Sequence, residues 1–272
     1  MQAYLQMVKT VLDQGTRREN RTGIDTLAYF GYHYKIDLAQ GFPLMTTKKV
    51  YFNSVIRELL WYLSGETHIR NLRKHTKIWD AWTSEEKNWE VGKMYGYQWV
   101  NWEKHSTDPI TGNHRIEFIN QIQEVINLIR NNPESRRMVV SAWNPSVLNE
   151  IALPSCHAFF MFNVLDGKLN CHLTQRSGDI ALGIPFNLAN YAALTMMIAQ
   201  ETGLKPGEFS HYINDAHIYV NHIDGLKEQL SRDPLPLPRL KIADKPFWEL
   251  QFEDFSLLNY QHHPAIKFEV AV

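Results

Sequence analysis

The residue of this chain with the clearest chemical potential is Cys156, which precedes a histidine in the stretch Leu-Pro-Ser-Cys-His-Ala-Phe-Phe at residues 153–160. A cysteine reacts as its thiolate, and a thiolate near neutral pH needs cationic neighbours. The apolar run that follows predicts a strand, so the thiol would lie where a loop meets a strand and could face a cleft. Three interpretations are open at this point: a nucleophile, a metal ligand, or a small buried hydrophobic residue.

A zinc site would have to use the two Cys-His pairs, Cys156-His157 and Cys171-His172. Neighbouring residues on a strand point to opposite faces, so neither pair can easily direct both side chains at one ion. For the same reason His157 is badly placed as the base of a cysteine hydrolase, which would also need an oxyanion hole. We therefore expect no metal site and no hydrolase machinery.

Arginines recur in three short polar motifs. Arg21 lies in Asn-Arg-Thr-Gly, Arg136 and Arg137 lie in Ser-Arg-Arg-Met, and Arg176 precedes Ser177 in Gln-Arg-Ser-Gly-Asp. A guanidinium group matches two phosphate oxygens at once, and Arg176 could also stabilise a nearby thiolate. Each motif alone is typical of a solvated charge or a surface ion pair. Together, beside strand-like segments, they suggest a phosphomonoester site.

Asn187 introduces an amide at the start of an otherwise apolar segment, where it could be a helix N-cap or a recognition group. An amide offers an acceptor and two donors, which matches the N3–H and O4 edge of uracil and mismatches cytosine. His217 and Tyr219 are two residues apart on a predicted strand and so share a face. They could hold a sugar hydroxyl, or form an ordinary polar network in the core.

Hydrophobic spacing predicts the elements that must position these groups. Helices are expected over residues 4–14, 51–63, 115–130 and 187–201, strands over 26–38, 138–143 and 265–272, and a hairpin over 158–177 around the turn Asp166-Gly167. The strands cluster without regular β-helix-β alternation, which favours an α+β fold. No break in composition marks a second domain, so we expect one catalytic domain over 1–272, with 77–113 as a possible small variable insert.

Composition restricts the class of protein. The 272 residues carry a formal net charge of −1, so no basic field draws the chain to nucleic acid or to a membrane surface. Two cysteines form no disulfide framework. The N-terminal residues contain no basic stretch followed by an apolar run, and no apolar stretch approaches a membrane span. We expect a cytoplasmic protein with free thiols.

Taken together, these motifs resemble the folate-dependent thymidylate synthase family, over nearly the whole chain. The resemblance is carried by NRTG (20–23), GFPLMTTKK (41–49), ELLWYLSGET (58–67), IWDAW (78–82), MYGYQW (94–99), SRRMVVSAWNP (135–145), LPSCHAFF (153–160), QRSGDIALGIPFNLANYA (175–192), DAHIYVNH (215–222) and the terminal FEVAV. It implies a large, mixed but mostly antiparallel twisted sheet that is flanked by helices and packed at the interface of an obligate homodimer. It also implies reductive methylation of dUMP to dTMP, with 5,10-methylenetetrahydrofolate as carbon donor and reductant and with no metal.

Carried over position by position, the resemblance makes Cys156 the nucleophile and gives proton-transfer roles to Glu58 and Tyr95. It assigns dUMP binding to Arg21, Arg176, Ser177, Gly178, Asp179, Asn187, His217 and Tyr219, completed by Arg136 and Arg137 of the partner subunit. It assigns the folate site to Tyr51, Trp79, Trp82, Asp179, Gly183, Ala271 and Val272. Arg176 and Asn187 would also take part in catalysis.

Some positions depart from the pattern of the family. Ser155 stands where proline is usual, Gly178 where cysteine or alanine is common, and Tyr51 where histidine is frequent. Further departures are Asn53 and Val100 in place of arginine, and Asn214 and Ala216 in place of glycine and threonine. Most of these positions touch the folate side of the site or its packing.

Two other functions remain open. The nearest is a dUMP hydroxymethylase of the same superfamily, which would end with attack by water. The cytidylate version would carry aspartate in place of Asn187. A non-catalytic, RNA-binding role is the other, but the near-neutral charge offers no basic stripe for it.

Overall fold

The computed structural model describes residues 1–271, which contain seven α-helices and eleven β-strands. The helices are α1 (Gln2–Gln14), α2 (Phe52–Ser64), α3 (Arg70–Arg73), α4 (Gly96–Val100), α5 (Gln121–Asn131), α6 (Gly183–Glu201) and α7 (Ile223–Leu230). The strands are β1 (Thr16–Arg18), β2 (Thr26–Asp37), β3 (Trp102–Thr107), β4 (His114–Ile119), β5 (Val139–Ser141), β6 (His157–Leu165), β7 (Lys168–Gln175), β8 (Gly178–Asp179), β9 (Lys205–Tyr219), β10 (Arg239–Ile242) and β11 (Phe255–Leu258).

Seven of these strands form one open sheet. Six follow the order β1-β2-β9-β7-β6-β5, and the short β8 pairs with β9 beyond the end of β7. The pairs β7–β9 and β8–β9 are parallel, and the others are antiparallel. Helix α6 packs on β7 and β9, and α1 packs on β2. The predicted α+β fold with a large mixed, mostly antiparallel sheet flanked by helices is confirmed.

The hairpin of β6 and β7 turns where the sequence predicts. Asp166 and Gly167 both have positive φ, at 49° and 70°, as a two-residue turn that matches the twist of its strands requires. The register pairs Leu165 with Lys168. This hairpin places the end of β7 beside the start of β6, so it brings the segment after residue 175 next to Cys156.

The core is continuous across the described chain. Helix α6 is buried nearly all round, as expected for a central helix. Trp79, Tyr95 and Trp99, from the segment expected to be a variable insert, lie in the same hydrophobic cluster as α6 and the sheet. We therefore propose that the chain is one domain and that residues 77–113 are not a separate unit.

Two predicted elements are wrong. The helix expected over 115–130 begins only at Gln121, because residues 114–119 alternate in the manner of a strand and pair with β3. The Asn120 side chain accepts a hydrogen bond from the backbone N–H of Gln123, which is an N-cap that fixes the helix start. The strand expected over 265–272 is absent from its described part, residues 265–271, which pair with no neighbouring strand.

No helix within residues 1–271 combines the length and the apolar character needed to cross a bilayer.

Candidate active site

The thiol of Cys156 lies in a loop that ends where β6 begins, and its side chain is half-buried. The guanidinium group of Arg176 reaches it from the end of β7, with Nη2 3.5 Å from Sγ. The same guanidinium holds the loop, because Nη2 donates to the carbonyl of Pro154 at 2.6 Å and Nε donates to that of Ser155 at 3.1 Å. The guanidinium group therefore places a positive charge beside the sulfur.

Arg176 also keeps capacity for a second ligand. Its backbone N–H donates to the carbonyl of Cys156 at 2.8 Å, so the position of the side chain is set by the hairpin itself. Within residues 1–271, its Nη1 contacts no hydrogen-bond acceptor. The arginine can therefore bind an anion such as phosphate while it stays beside the thiol.

Tyr95 contacts the nucleophile loop from the other side. Its hydroxyl accepts a hydrogen bond from the backbone N–H of Cys156 at 2.8 Å, and its own N–H donates to the Ser155 hydroxyl at 3.4 Å. A proline at position 155 could not accept that bond, so the departure has a structural use. Tyr95 has a positive φ of 36° and immediately precedes α4. Gly96, the first residue of α4, packs so closely on α2 that a Cβ would collide with the carbonyl of Tyr62.

The hydroxyl of Tyr95 stays protonated near neutral pH. Burial raises its pKa well above the ordinary value, and negative charge on Cys156 raises it further. Tyr95 is therefore a neutral hydroxyl and not a phenolate near neutral pH.

His157 belongs to the core and not to the reactive group. Its Nδ1 lies 2.8 Å from the hydroxyl of Tyr191, and its ring packs on that of Tyr95 with centroids 4.0 Å apart. Burial lowers the pKa of His157 to about 3, so the ring is neutral. A neutral ring held in the core does not provide the base of a cysteine hydrolase.

Glu58 is a buried carboxyl group on α2. Its Oε1 accepts from the indole N–H of Trp79 at 2.7 Å, and its Oε2 accepts from the Nδ2 of Asn190 on α6 at 2.6 Å. Burial raises the pKa of Glu58, and these hydrogen bonds only partly oppose that effect. The Oδ1 of Asn190 is buried and has no hydrogen-bond partner in the described part of the chain.

Asn187 lies in the second turn of α6 and not at its N-cap, because the helix begins at Gly183. The carboxylate of Asp179 binds the N-terminal backbone instead, accepting from Ala181 N–H at 2.9 Å and Leu182 N–H at 3.3 Å. The half-buried Asn187 amide accepts a hydrogen bond from Nε2 of Gln175 at 2.9 Å. Its Oδ1 is held by Gln175, and within residues 1–271 its Nδ2 donates to no acceptor.

The residues predicted to hold a nucleotide sugar and phosphate lie on and near β9. His217 and Tyr219 share a face, with ring centroids 5.3 Å apart. Burial raises the pKa of Tyr219 and Arg21 opposes that effect, which places the exposed Arg21 close to this tyrosine. Ser177 follows Arg176 and is half-buried.

Gly178 is fully packed despite the absence of a side chain. A Cβ at this position would lie 2.6 Å from Cδ1 of Ile184 and 3.0 Å from Cγ2 of Ile213. The two isoleucines occupy the space that an alanine or cysteine would fill in the usual pattern. The departure at Gly178 is thus compensated by its neighbours.

Arg136 and Arg137 are not brought to the other arginines within one chain. Both are exposed and lie just before β5, at the edge of the sheet opposite β1. Val139 pairs with Met161, whereas Gln175 pairs with His157, so the start of β5 and the end of β7 are four residues apart along β6. That offset is roughly 13 Å at about 3.3 Å per residue, and β5 and β7 are also two strand spacings of about 4.8 Å apart. One protomer therefore cannot direct all four predicted arginines at one phosphate.

The residues predicted for the folate site lie in several segments of the described chain. Trp79 and Trp82 pack with ring centroids 5.1 Å apart, and Tyr51 is 58% exposed beneath the ammonium of Lys49. Asp179 is the last residue of β8, and Gly183 is the first residue of α6. Ala271 is half-buried at the C-terminal end of the described chain, and Val272 lies outside the described residues.

Several residues of this region are missed by the sequence reasoning. Lys48 is 5% exposed, binds the carbonyl of Ala181 through its ammonium group and lies over the ring of Phe268, and burial lowers its pKa to about 8. Asn190 and Gln175 orient Glu58 and Asn187. A lysine within an apolar stretch is only a weak indication of a functional role. Nothing in the sequence indicates the roles of Asn190 and Gln175, because their hydrogen-bond partners are distant along the chain.

Among residues 1–271, no three histidine, cysteine, aspartate or glutamate side chains are arranged to hold a metal ion.

Two buried histidines predict a strong dependence of stability on pH. Burial lowers the pKa of both His157 and His211 to about 3, against 6.5 in the unfolded chain. Between these values the unfolded chain binds more protons, so the free energy of unfolding falls as pH falls from 6.5 towards 3. At pH 5 each histidine costs about 2 kcal/mol relative to pH 7.

Urea unfolding at both pH values and at fixed protein concentration measures this loss. A His211→Gln variant is the matched control, because it removes one titrating ring and keeps the hydrogen-bonding groups. It should lose about 2 kcal/mol less than the wild type on acidification. If both proteins lost the same free energy of unfolding on acidification, the pKa of His211 would not be lowered in the folded protein.

The comparison with protein families agrees with this geometry. A family model described as thymidylate synthase matches residues 2–272, which is essentially the whole chain and includes every candidate site residue named above. The chain therefore belongs to the thymidylate synthase family, folate-dependent transferases of nucleotide biosynthesis whose activity is of the dUMP-methylation type.

Proposed function

We propose that this protein converts dUMP to dTMP with 5,10-methylenetetrahydrofolate, through a covalent adduct between Cys156 and carbon 6 of uracil. The observation that carries the proposal is the half-buried thiol with the Arg176 guanidinium 3.5 Å from its sulfur and the Tyr95 hydroxyl on its backbone N–H. This is the arrangement that a thiolate nucleophile needs.

The first step is made possible by the thiolate. Carbon 5 of uracil is a poor nucleophile, but addition of Cys156 sulfur to carbon 6 converts the ring into an enolate whose carbon 5 is nucleophilic. The enolate oxygen, O4, needs a donor, and Nδ2 of Asn187 is available for it. The N3–H group of the ring would donate to the second lone pair of Asn187 Oδ1.

The remaining steps move protons. When bound, the folate would supply the one-carbon unit that bonds to carbon 5 and, for methylation, the hydride that leaves dihydrofolate. Loss of the carbon 5 proton would break the bond between that unit and the folate. Tyr95, as a neutral hydroxyl beside Cys156, assists removal of the proton from carbon 5. Glu58, whose pKa is raised by burial, holds or delivers a proton in the dry region behind the base. Departure of Cys156 as thiolate then restores the aromatic pyrimidine.

The chain's residues fit a folate. Trp79 and Trp82 offer flat apolar surface, and the Asp179 carboxylate is an acceptor for ring N–H groups. Buried Lys48 supplies positive charge near Asp179 for an anionic tail. Trp79 is 6% exposed and packs near Tyr95, so it would also shield the reacting carbon from water.

A homodimer would complete the phosphate site. Arg136 and Arg137 cannot reach Arg176 in their own chain, but a second copy could supply them. A cavity of about 460 Å³ lies between Ser177, Phe30 and Asp215, and Phe30 is 80% exposed there. We propose that Arg136 and Arg137 of the partner subunit enter this region, beside the free side of Arg176.

The sheet offers the surface for such pairing. The face opposite α6 keeps side chains exposed or half-exposed in the single chain, among them His33, Val139, Met161, His172 and Tyr212. A mixed apolar and polar sheet face of this kind is suited to a second copy of itself. Two free cysteines, one of them reactive, also favour a reducing, cytoplasmic location.

The alternative product is 5-hydroxymethyl-dUMP. One observation favours it: the unpaired Oδ1 of Asn190, buried beside Glu58, is an acceptor able to hold a water molecule near the base. The observation that favours methylation is the burial of Trp79, whose indole N–H is fixed by Glu58.

The product decides between these activities. Incubation of the protein with dUMP and 5,10-methylenetetrahydrofolate should yield a nucleotide heavier than dUMP by CH2, measured by mass spectrometry, together with dihydrofolate. A reaction without the folate is the control. A product heavier by CH2O, with tetrahydrofolate as co-product, would establish hydroxymethylation and refute the proposal.

A further inference from the structure

Asn187 is the end of a buried chain of hydrogen bonds that crosses the sheet. Gln175 Nε2 donates to Asn187 Oδ1 at 2.9 Å. Gln175 Oε1 lies 2.8 Å from Nε2 of His211, and Nδ1 of His211 lies 2.8 Å from the hydroxyl of Tyr34. Gln175, His211 and Tyr34 are 2%, 0% and 6% exposed, so solvent does not compete for these groups. Gln175, His211 and Tyr34 together form the relay.

The direction of every bond in the relay is determined. Gln175 Nε2 also donates to the carbonyl of Ser177 at 3.1 Å, which prevents the opposite orientation of the Gln175 amide, since two acceptors would then meet. Its oxygen must therefore accept from Nε2–H of His211. Burial lowers the pKa of His211 to about 3, so the ring is neutral and its Nδ1 can only accept, which makes the Tyr34 hydroxyl the donor.

The orientation of the Asn187 amide matters because uracil and cytosine present opposite patterns. Uracil offers a donor at N3 and an acceptor at O4, and cytosine offers an acceptor at N3 and a donor at N4. An asparagine amide rotated by 180° would exchange its own donor and acceptor and would fit cytosine. Such a rotation of Asn187 would place its Nδ2 against Nε2 of Gln175, donor against donor.

We propose that His211 and Tyr34 are specificity-determining positioning residues, which hold Gln175 so that Asn187 keeps the orientation that accepts uracil and rejects cytosine. The inference rests on the proposed action on dUMP and adds the way in which the base is selected. Neither residue contacts the base, because both lie in the core behind Gln175. A relay that has one consistent direction of hydrogen bonds is well suited to this role, since a reversal anywhere leaves a buried group unpaired.

The test compares two substitutions of one residue. His211→Leu removes the donor to Gln175 Oε1, whereas His211→Gln keeps a donor for Gln175 and an acceptor for Tyr34. We expect His211→Leu to lower the ratio of kcat/KM for dUMP to that for dCMP by about tenfold or more, the effect of losing one buried hydrogen bond from the discriminating geometry. His211→Gln should keep the ratio within about threefold of the wild type.

Tyr34→Phe gives a second, milder test that retains the ring and its packing. It should lower the ratio less than His211→Leu does, and in the same direction. Thermal unfolding of each variant shows that the protein is folded, and Asn187→Asp, which should turn over dCMP, shows that the assay detects loss of discrimination. An unchanged ratio in folded His211→Leu, or equal losses in His211→Leu and His211→Gln, would overturn the inference.

The outcome is separable from that of the proposed function. If the wild type does not convert dUMP, the proposed function fails before the variants are compared. If the wild type converts dUMP and the ratio does not respond to His211, only the relay is refuted.

Discussion

Cys156→Ser is expected to abolish turnover of dUMP, with kcat lower by a factor on the order of 10⁴ or more, as for removal of other enzymatic nucleophiles. A serine hydroxyl beside Arg176 does not ionise near neutral pH, so carbon 6 receives no nucleophile and carbon 5 is not activated. The variant should still bind dUMP, because the groups that hold the base, sugar and phosphate are unchanged. Activity assays and equilibrium binding measure the two effects separately.

Covalent capture gives a sharper form of the same test. With 5-fluoro-dUMP and 5,10-methylenetetrahydrofolate, the wild type should form a stable adduct, because fluorine at carbon 5 cannot leave as a proton does. Intact-protein mass spectrometry should show the adduct in the wild type and none in Cys156→Ser.

Cys171→Ser is the matched control. Cys171 is 1% exposed on β7, and burial raises the pKa of its thiol to about 12, so it does not form a thiolate near neutral pH. The variant should keep both the adduct and the activity, with a loss of stability of about 1 kcal/mol from burying a hydroxyl. An adduct that persists in Cys156→Ser and disappears in Cys171→Ser would identify Cys171 as the nucleophile and refute the assignment to Cys156.

Glu58→Gln is expected to give a folded protein with kcat reduced by about 10² to 10⁴, the usual contribution of a positioned acid or base. The fold should survive because the amide can replace the carboxyl group in its network. Its oxygen can accept from the indole of Trp79, and its NH2 group can donate to Oδ1 of Asn190, which becomes available once that amide rotates. What the variant loses is the ability to hold and release a proton.

The split between stability and activity identifies the role. A change in melting temperature of a few degrees, with the loss in kcat, supports proton transfer by Glu58. Glu58→Leu serves as the contrast, since it leaves the Trp79 indole and Asn190 amide unpaired in the core and should lower both stability and activity. Activity of Glu58→Gln close to that of the wild type would refute a role in proton transfer.

Much of the local structure is predictable from the sequence. The Asp166-Gly167 turn, the strand that begins after Cys156 and the apolar character of α6 depend on neighbouring residues, and the structure confirms them. The prediction of a helix from residue 115 is wrong for a local reason as well. The residues before Asn120 form a strand, and the Asn120 N-cap marks where the helix begins.

The C-terminal segment could not be predicted in the same way. Residues 265–271 have the composition of a strand, but a strand needs a free edge beside it. In the structure, His222 binds the carbonyl of Glu269 through its Nε2 at 2.8 Å, and the ring of Phe268 packs on the same histidine. Side-chain contacts hold this segment in place, and its described residues form no backbone hydrogen-bond ladder with a strand.

The family, the fold class and the candidate nucleophile can be read from residue types in their order along the chain. Which side chains contact one another depends on the folded structure. Glu58 meets Asn190 across 132 positions, and Cys156 meets Tyr95 across 61. Hydrogen bonds of this kind leave no periodic trace in the sequence, since each needs only one donor and one acceptor placed at the same point by the packing of α2, α4 and α6 around the sheet.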